Sequence, residues 1–493
     1  MESFRLLVIA DSHYASSPQG VISTSPARKC LLGKELIRRT ITDAQRQGGF
    51  DAIALMGDLI DNGNSPTARA DLEAIRDEIR TAAPDTPLII VPGNHDGDPH
   101  RLFKIFATPS NLYDIGQYRF IVFTDTYAPD ESCMRSQADR KIFTDLAAST
   151  DKPIIALQHN PIHPPIESDY PYILVNRSEV MADYSAAGVV LSISGHYHPG
   201  QPLSFAGNVG YLTVPAICQA PFRYALITLT GREFSVSIRS LMASDDPPLI
   251  DCHAHTEFAY CAQDVTIDAV LDRARTFGLA GQVFAEHAGQ LYCSADDFWS
   301  ARHIRQPKVW KTQENSRMAN YLRTMREKRD DFTRIGLEVE LDIDGNLTLH
   351  DEDRQQIDLI IGAVHWIKDD PKELTDAELT DEFMQTTLKL IESDIDILAH
   401  PWRFFRRANR EVPKHLYSEL AQALAENKVA AEINFHTNTP DVAFFAECIA
   451  RGVKISLATD AHAIYEAGHL SAHLALLKQI TDENNITNLL FTP

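Results

Sequence analysis

The chain has 493 residues, 44% of them hydrophobic and 23% charged, which predicts a soluble globular protein of two, or at most three, domains. Its 46 basic side chains against 68 acidic ones leave a net charge of -22, a surface that repels phosphate backbones and argues against sequence-independent nucleic-acid binding. The seven cysteines are scattered and form no CxxC pair, no basic segment precedes the first apolar run, and no run is long enough to span a bilayer; together these predict a cytoplasmic protein without a disulfide framework or membrane segment.

Residues 4–10 form a β-rich run that ends in Asp11-Ser12-His13. A helical stretch over 27–47 leads to a second apolar run, 52–56, ending in Gly57-Asp58-Leu59-Ile60-Asp61, and then to a helix around 72–81. The third run, 88–91, ends in Gly93-Asn94-His95-Asp96, before a helix at 101–106. This strand–helix–strand spacing predicts a layered α/β unit whose strand ends converge on one edge, where such sheets place ligands. There Asn94 can offer a neutral oxygen to a metal, His95 a transferable proton, and Asp96 an acceptor that fixes the His95 tautomer. Further strands are expected at 119–124, 154–157, 189–193, 210–214, 224–228 and 235–238. Two of them end in Gln158-His159-Asn160-Pro161 and Ser194-Gly195-His196-Tyr197-His198.

The ordered series D-x-H, G-D, G-N-H-D, H and G-H-x-H resembles the calcineurin-like metallophosphoesterase family at all five motifs. The resemblance implies that Asp11, His13 and His198 bind one metal ion, that Asn94, His159 and His196 bind a second, and that Asp58 bridges them. It makes His95 the general acid for the leaving oxygen. Elementary chemistry agrees, because a phosphate ester repels hydroxide. Two divalent ions about 4 Å apart both neutralise the phosphoryl oxygens and generate a nucleophile near neutral pH. A mixed oxygen and nitrogen ligand set suits Mn, Fe or Zn better than Mg or Ca. Arg223, at the end of a loop over 216–223, is a candidate phosphate partner, with a surface ion pair as the alternative.

Ala243-Ser244-Asp245-Asp246-Pro247-Pro248 is polar, acidic and stiffened by two prolines. It reads as a linker that divides the chain into domains 1–245 and 246–493. Beyond it a new series of strand ends begins, carrying Asp251-Cys252-His253-Ala254-His255, Glu286-His287, Glu338, His365, His400-Pro401 and Asp460-Ala461-His462. Helices are expected between them at 267–276, 378–391, 416–427 and 442–451. Such repeated strand–ligand–helix units predict a closed β/α barrel with its site at the strand C-terminal ends. Of the 19 histidines, eleven fall in these motifs: 13, 95, 159, 196, 198, 253, 255, 287, 365, 400 and 462.

The second series resembles the PHP (polymerase and histidinol phosphatase) family, whose fold is a distorted seven-stranded β/α barrel with up to three metals. The resemblance implies one ion held by His253, His255, Glu338 and Asp460, a second by Glu338, His365 and His400, and a third by His287 and His462. Cys261 stands where many relatives carry Asp or His, so it is either a thiolate ligand to a softer third ion or an inert buried cysteine. Glu340 shares a strand face with Glu338 and is an alternative bridging ligand. Of Arg403, Arg406 and Arg407, at least one is expected to clamp a phosphate, Arg403 and Arg406 being the leading candidates. The basic stretch 299–329 is expected to be an insertion over the barrel mouth, helical only after about residue 314.

The expected fold is thus α/β throughout, a layered metallophosphoesterase sandwich followed by a (β/α)7 barrel. The expected activity is metal-dependent phosphoester hydrolysis. Two ions (Mn, Fe or Zn) serve the first site, which cleaves a diester or monoester such as a cyclic nucleotide. Two or three (Zn, Mn or Fe) serve the second, which cleaves a small monoester. The alternatives are a barrel that only binds a ligand or regulates, and a nuclease acting on nucleic-acid ends. The expected partner is a small phosphorylated substrate.

Overall fold

The computed structural model describes residues 3–242, 247–312 and 316–493, and the chain divides into two compact units, 1–241 and 242–493. Most of the predicted linker, residues 243–246, lies outside the described residues. No helix among the described residues is long and apolar enough to cross a membrane.

The first unit is built on thirteen strands: β1 Phe4–Ile9, β2 Ala52–Leu55, β3 Leu88–Ile90, β4 Leu112–Ile115, β5 Tyr118–Val122, β6 Thr126–Tyr127, β7 Cys133–Met134, β8 Ile154–Leu157, β9 Val189–Ser194, β10 Gln201–Ala206, β11 Val209–Thr213, β12 Arg223–Thr230 and β13 Glu233–Ser240. They form a five-stranded sheet ordered β13-β12-β1-β2-β3, a six-stranded sheet ordered β10-β11-β9-β8-β5-β4, and the small β6–β7 ribbon. Alternation along each strand decides what goes where. Leu6, Val8, Ala54 and Ile89 from one sheet meet Phe120, Ile155, Leu191 and Leu212 from the other in a shared core. The opposite face of the second sheet packs Ile121, Ala156 and Val189 against Phe143 and Tyr184, which come from the helices Gln137–Ala148 and Arg177–Ala187. Because β1, β2 and β3 run parallel, as do β5, β8, β9 and β11, their C-terminal ends lie together in each sheet.

The second unit is a barrel of seven strands, β14 Ile250–Ala254, β15 Gly281–His287, β16 Thr333–Val339, β17 Leu359–Gly362, β18 Ile397–Leu398, β19 Ala430–Asn434 and β20 Ile455–Ala458. Every neighbouring pair is parallel, in chain order. The barrel closes through a parallel bridge between Ala254 and Ala461 and a 2.7 Å bond from the Asp460 N–H to the His253 carbonyl. Val283, Ala285, Leu359, Ile361, Ile397 and Ala430 fill its interior. The helices Ile267–Thr276, Asp376–Ile391, Tyr417–Asn427 and Val442–Ala450 contribute apolar residues to the outer core, with Phe284, Leu337, Ile360 and Leu457 from the strands.

Two expectations need correction. The stretch 299–329 is helical earlier than its sequence suggests: short helices Arg302–Arg305 and Lys308–Lys311 precede Met318–Lys328, while residues 313–315 lie outside the described set. Pro307 separates the two short helices, which hides their periodicity. The expected strands also omit β4, β10 and β19; in β19 the inward-facing Glu432 and Asn434 interrupt the apolar run.

Candidate metal centres

In the first unit the ligands sit just past the strand ends, on backbone that most residues avoid. Asp11, His13, Asp58 and His196 all have positive φ, at 54°, 44°, 51° and 66°; such strain persists only where the surroundings over-determine it, commonly at functional sites. The glycines of the motifs are explained by close approach: a Cβ on Gly93 would lie 2.2 Å from the Asp58 backbone nitrogen, and one on Gly195 would lie 2.7 Å from Asp11 Oδ2.

The side chains converge on Asp58. Its Oδ2 is 3.3 Å from His159 Nε2 and 3.6 Å from His13 Nε2, while its Oδ1 accepts from the His95 N–H. His13 Nε2 and His198 Nε2 are 3.2 Å apart, and His198 Nε2 is 3.7 Å from Asp11 Oδ1. Asn94 Oδ1, His159 Nε2 and His196 Nε2 are buried and make no hydrogen bond among the described residues, as buried polar atoms seldom do unless something else satisfies them. Burial opposes charge on His159, but the Asp58 carboxylate outweighs it and lifts the imidazole to about 10. Asp58, despite its own burial, is drawn well below the carboxylate range by His159. Burial pushes Asp11 up to about 8. Two buried carboxylates among imidazoles form a site that favours a cation.

Ring orientations are set from behind. His159 Nδ1 bonds the Met56 carbonyl at 2.7 Å, His13 Nδ1 bonds Asp61 Oδ1 at 3.1 Å, and His95 Nδ1 bonds the Asp61 carbonyl at 2.7 Å. This corrects the role expected of Asp96. Its carboxylate accepts from the backbone N–H groups of Leu59, Ile60 and Gly93, so it braces two ligand loops, and Asp61 orients His95 instead. Arg223 is exposed at the start of β12. The cation found near the ligands is Arg28, whose guanidinium lies 3.8 Å from Asp61 Oδ1. No motif marks Arg28, and the helix expected over 27–47 begins only at Gly33, leaving Arg28 in the turn before it.

In the barrel the period of two explains which residues meet. Val283 and Ala285 face inward, so His287 does too; Leu359, Ile361 and Ala363 are followed by His365, and Ala430 by Glu432 and Asn434. A register shift between Asp251 and Ala254 turns both His253 and His255 into the site. Glu338 is the hub. Its Oε2 lies 2.6 Å from His287 Nδ1, 3.7 Å from His253 Nε2 and 3.9 Å from His255 Nε2, and its Oε1 lies 2.9 Å from His400 Nε2 and 3.4 Å from His365 Nε2. Asp460 Oδ1 is 2.9 Å from His255 Nε2. His253 Nε2, His287 Nδ1 and Glu338 Oε2 are buried, and among the described residues their close contacts with one another are not aligned as hydrogen bonds. The nitrogens of His255, His287 and His462 form a further group.

Here carboxylates stand behind the rings: Glu432 on His253 Nδ1 and Glu286 on His255 Nδ1, each at 3.0 Å, and Glu340 on His365 Nδ1 at 2.9 Å. Glu340 therefore supports a ligand and does not replace Glu338; burial and the Glu338 charge push its carboxyl well above the usual range. Burial opposes ionisation of Glu338 as well, yet His365, His287 and His253 draw it well below that range. Cys261, Phe298, Trp299, Trp366, Arg403 and Arg407 join His287, His365 and His462 around a cavity of about 330 Å³. Cys261 Sγ accepts from Gln290 Nε2 at 3.3 Å. Arg403 reaches into the ligands, 2.6 Å from both Asp460 Oδ2 and His400 Nε2. Arg406 is turned away onto the Thr439 carbonyl, and Arg407 lines the cavity in its place.

A model of the calcineurin-like phosphoesterase family matches residues 4–200, and a model of the PHP domain matches residues 251–436. Among solved structures, the chain is similar to a dimetal phosphatase from Danio rerio, with 15% identity over 48% of this chain and 98% of that one and a TM-score of 0.39. It is also similar to a histidinol phosphate phosphatase from Lactococcus lactis complexed with zinc, L-histidinol and phosphate, with 19% identity over 47% of this chain and 93% of that one and a TM-score of 0.33. No curated protein matches it. Residues 4–200 thus carry a calcineurin-like phosphoesterase domain and residues 251–436 a PHP domain, and both domains belong to families of metal-dependent phosphoesterases.

Proposed function

We propose that the chain hydrolyses phosphate esters at two separate metal centres. The first cleaves a small diester, with a cyclic nucleotide as the leading candidate, and the second removes phosphate from a small monoester. The observation that carries this reading is the gathering of buried ligand atoms that make no hydrogen bond among the described residues around a central carboxylate in each unit: Asn94, His159 and His196 beside Asp58, and His253 and His287 beside Glu338. An unsatisfied buried donor or acceptor costs about 1–3 kcal/mol, and mixed oxygen and nitrogen sets of this kind fit Mn, Fe or Zn.

In the first unit Asp11, His13 and His198 would hold one ion and Asn94, His159 and His196 another, with Asp58 reaching both. In the second, His253, His255, Glu338 and Asp460 would hold one, Glu338, His365 and His400 a second, and His287 with His462 a third, with Cys261 alongside. Bound divalent ions neutralise phosphoryl charge and acidify water. The protein's own groups do the rest. Since a carbonyl only accepts, the Asp61 bond keeps a proton on His95 Nδ1, leaving Nε2 to pass one to the leaving oxygen. Arg28, beside Asp61, in the first unit and Arg403 and Arg407, lining the cavity, in the second would meet phosphate oxygens. Seven free cysteines accord with a reducing, cytoplasmic setting.

The test uses one diester and two variants. His400→Ala is expected to accumulate the monoester while diester loss continues, and Asp58→Asn to stop diester loss while added monoester is still hydrolysed. Release of inorganic phosphate from the diester by His400→Ala at the wild-type rate would show that the second centre does not act on the product of the first.

A further inference from the structure

Cys218 belongs to none of the five motifs of the first unit, yet the fold delivers it to their centre. The loop after β11 is tied to the strand ends that carry the ligands: the Ala216 N–H donates to the His198 carbonyl at 3.0 Å, the Ile217 N–H to Ala10 at 2.9 Å and the Cys218 N–H to Asp11 at 3.3 Å. From the other side, the Lys29 N–H donates to the Cys218 carbonyl at 2.8 Å. Cys218 is fully buried, its Sγ makes no hydrogen bond with any described residue, and it lies with the His13 and His198 ring nitrogens in a group whose atoms are all within 4.8 Å of one another. Ligands at the usual metal–nitrogen and metal–sulfur lengths stand roughly 3.5 Å apart around a tetrahedral ion, so a small closing movement suffices.

We propose that Cys218 is a thiolate ligand to the ion that Asp11, His13 and His198 would hold. This rests on the reading of the first unit as a di-metal centre and gives its two ions unlike surroundings, one with oxygen, nitrogen and sulfur, the other with oxygen and nitrogen only. As the sulfur–metal bond forms, the thiol proton leaves to solvent. A thiolate favours Zn²⁺, Fe²⁺ and Co²⁺ over Mg²⁺, Ca²⁺ and Mn²⁺, so this position is the thiophilic one of the pair. The neighbouring Asn94 set has no sulfur to offer.

The experiment loads the full-length chain with Co²⁺, in a Cys261→Ser background that removes the thiol of the second unit's cavity. A thiolate-to-cobalt charge-transfer band in the near ultraviolet is expected. It should vanish in Cys218→Ser and in Cys218→Ala, while the cobalt bound at saturation and the circular dichroism stay the same. Absence of the band from the parent, or its persistence in either variant, overturns the assignment. Should both variants misfold, ¹¹³Cd resonances of the parent decide: one in the thiolate range is expected, and none there overturns the proposal. Asp58→Asn in the same background separates the two levels. If it binds as much cobalt as the parent, the di-metal reading falls and the thiolate with it; if it loses cobalt while Cys218→Ser keeps the band, the thiolate assignment alone falls.

Discussion

The two centres reach a similar end, a carboxylate ringed by imidazoles, by different construction. In the first unit the ligands sit on loops beyond the strands, four of them with positive φ, and His159 and His95 are oriented by main-chain carbonyls of Met56 and Asp61. In the barrel His253, His287 and Glu338 stand on the strands themselves, and the rings of His253, His255 and His365 are backed by Glu432, Glu286 and Glu340. Loop ligands need tight turns, which is why glycines mark the first site. In the barrel His253, His287 and Glu338 need only the right strand face, buried carboxylates orient His253, His255 and His365, and positive φ is confined to two of the proposed ligands, His400 at 31° and Asp460 at 51°. The first site therefore leans more on backbone geometry, with one carboxylate, Asp61, behind His13, and the second more on side-chain charge behind its ligands.

The sharpest contrast between ligand and chemistry lies at His95. Its ring touches the site, with centroid 4.7 Å from that of His13, yet it belongs to neither proposed ligand set. His95→Ala is expected to keep the bound metal of the first unit and slow its turnover by about 10²–10⁴-fold, checked by steady-state rates beside elemental analysis. Loss of metal would show that its role had been mistaken.

Glu432→Gln probes the carboxylates of the barrel. Glu432 bonds His253 Nδ1 at 3.0 Å and also accepts from the His400 N–H at 3.1 Å, so one substitution weakens the support of two ligands. A loss of about 10–100-fold in metal affinity or activity is expected, confined to the second unit and measurable by metal titration of the full chain. An equal loss at the first centre would erase the distinction between them.

The smallest effect on chemistry is expected at Asp96. Asp96→Asn keeps one acceptor oxygen, which can still serve Leu59 and Ile60 at the Oδ1 position, but sets its amide against the Gly93 N–H that Oδ2 accepts from. It should lower the stability of the first unit by about 1–3 kcal/mol, seen by denaturant unfolding, with metal content retained.

Much of this was legible beforehand, for reasons the structure makes plain. An apolar run that ends in His, Asp or Glu is visible as a run, so the strand ends and the residues on them could be read directly, and the spacing between runs announced the helices. What lay hidden was whatever a strand end faces. Asp61 follows the G-D motif by three positions and looks like any loop acid, and nothing local says that both its carboxylate and its carbonyl hold histidines. Glu432 and Asn434 broke the very pattern that would have revealed their strand. Asp96 was seen but misread, because adjacency to His95 in sequence is not contact: its carboxylate turns to the Asp58 loop. Cys218 arrives from a loop without periodicity, and Arg28 from the turn before a helix that begins later than its sequence suggests, so neither could be found except from the fold.

The central claim, two independent metal centres in one chain, is tested most directly by counting metal in three proteins purified without chelator: the wild type, Asp58→Asn and Glu338→Gln. The account predicts at least four divalent ions per wild-type chain, loss of the first pair alone in Asp58→Asn, and loss of the second set alone in Glu338→Gln. Metal confined to one unit, or a single substitution that empties both, would contradict it.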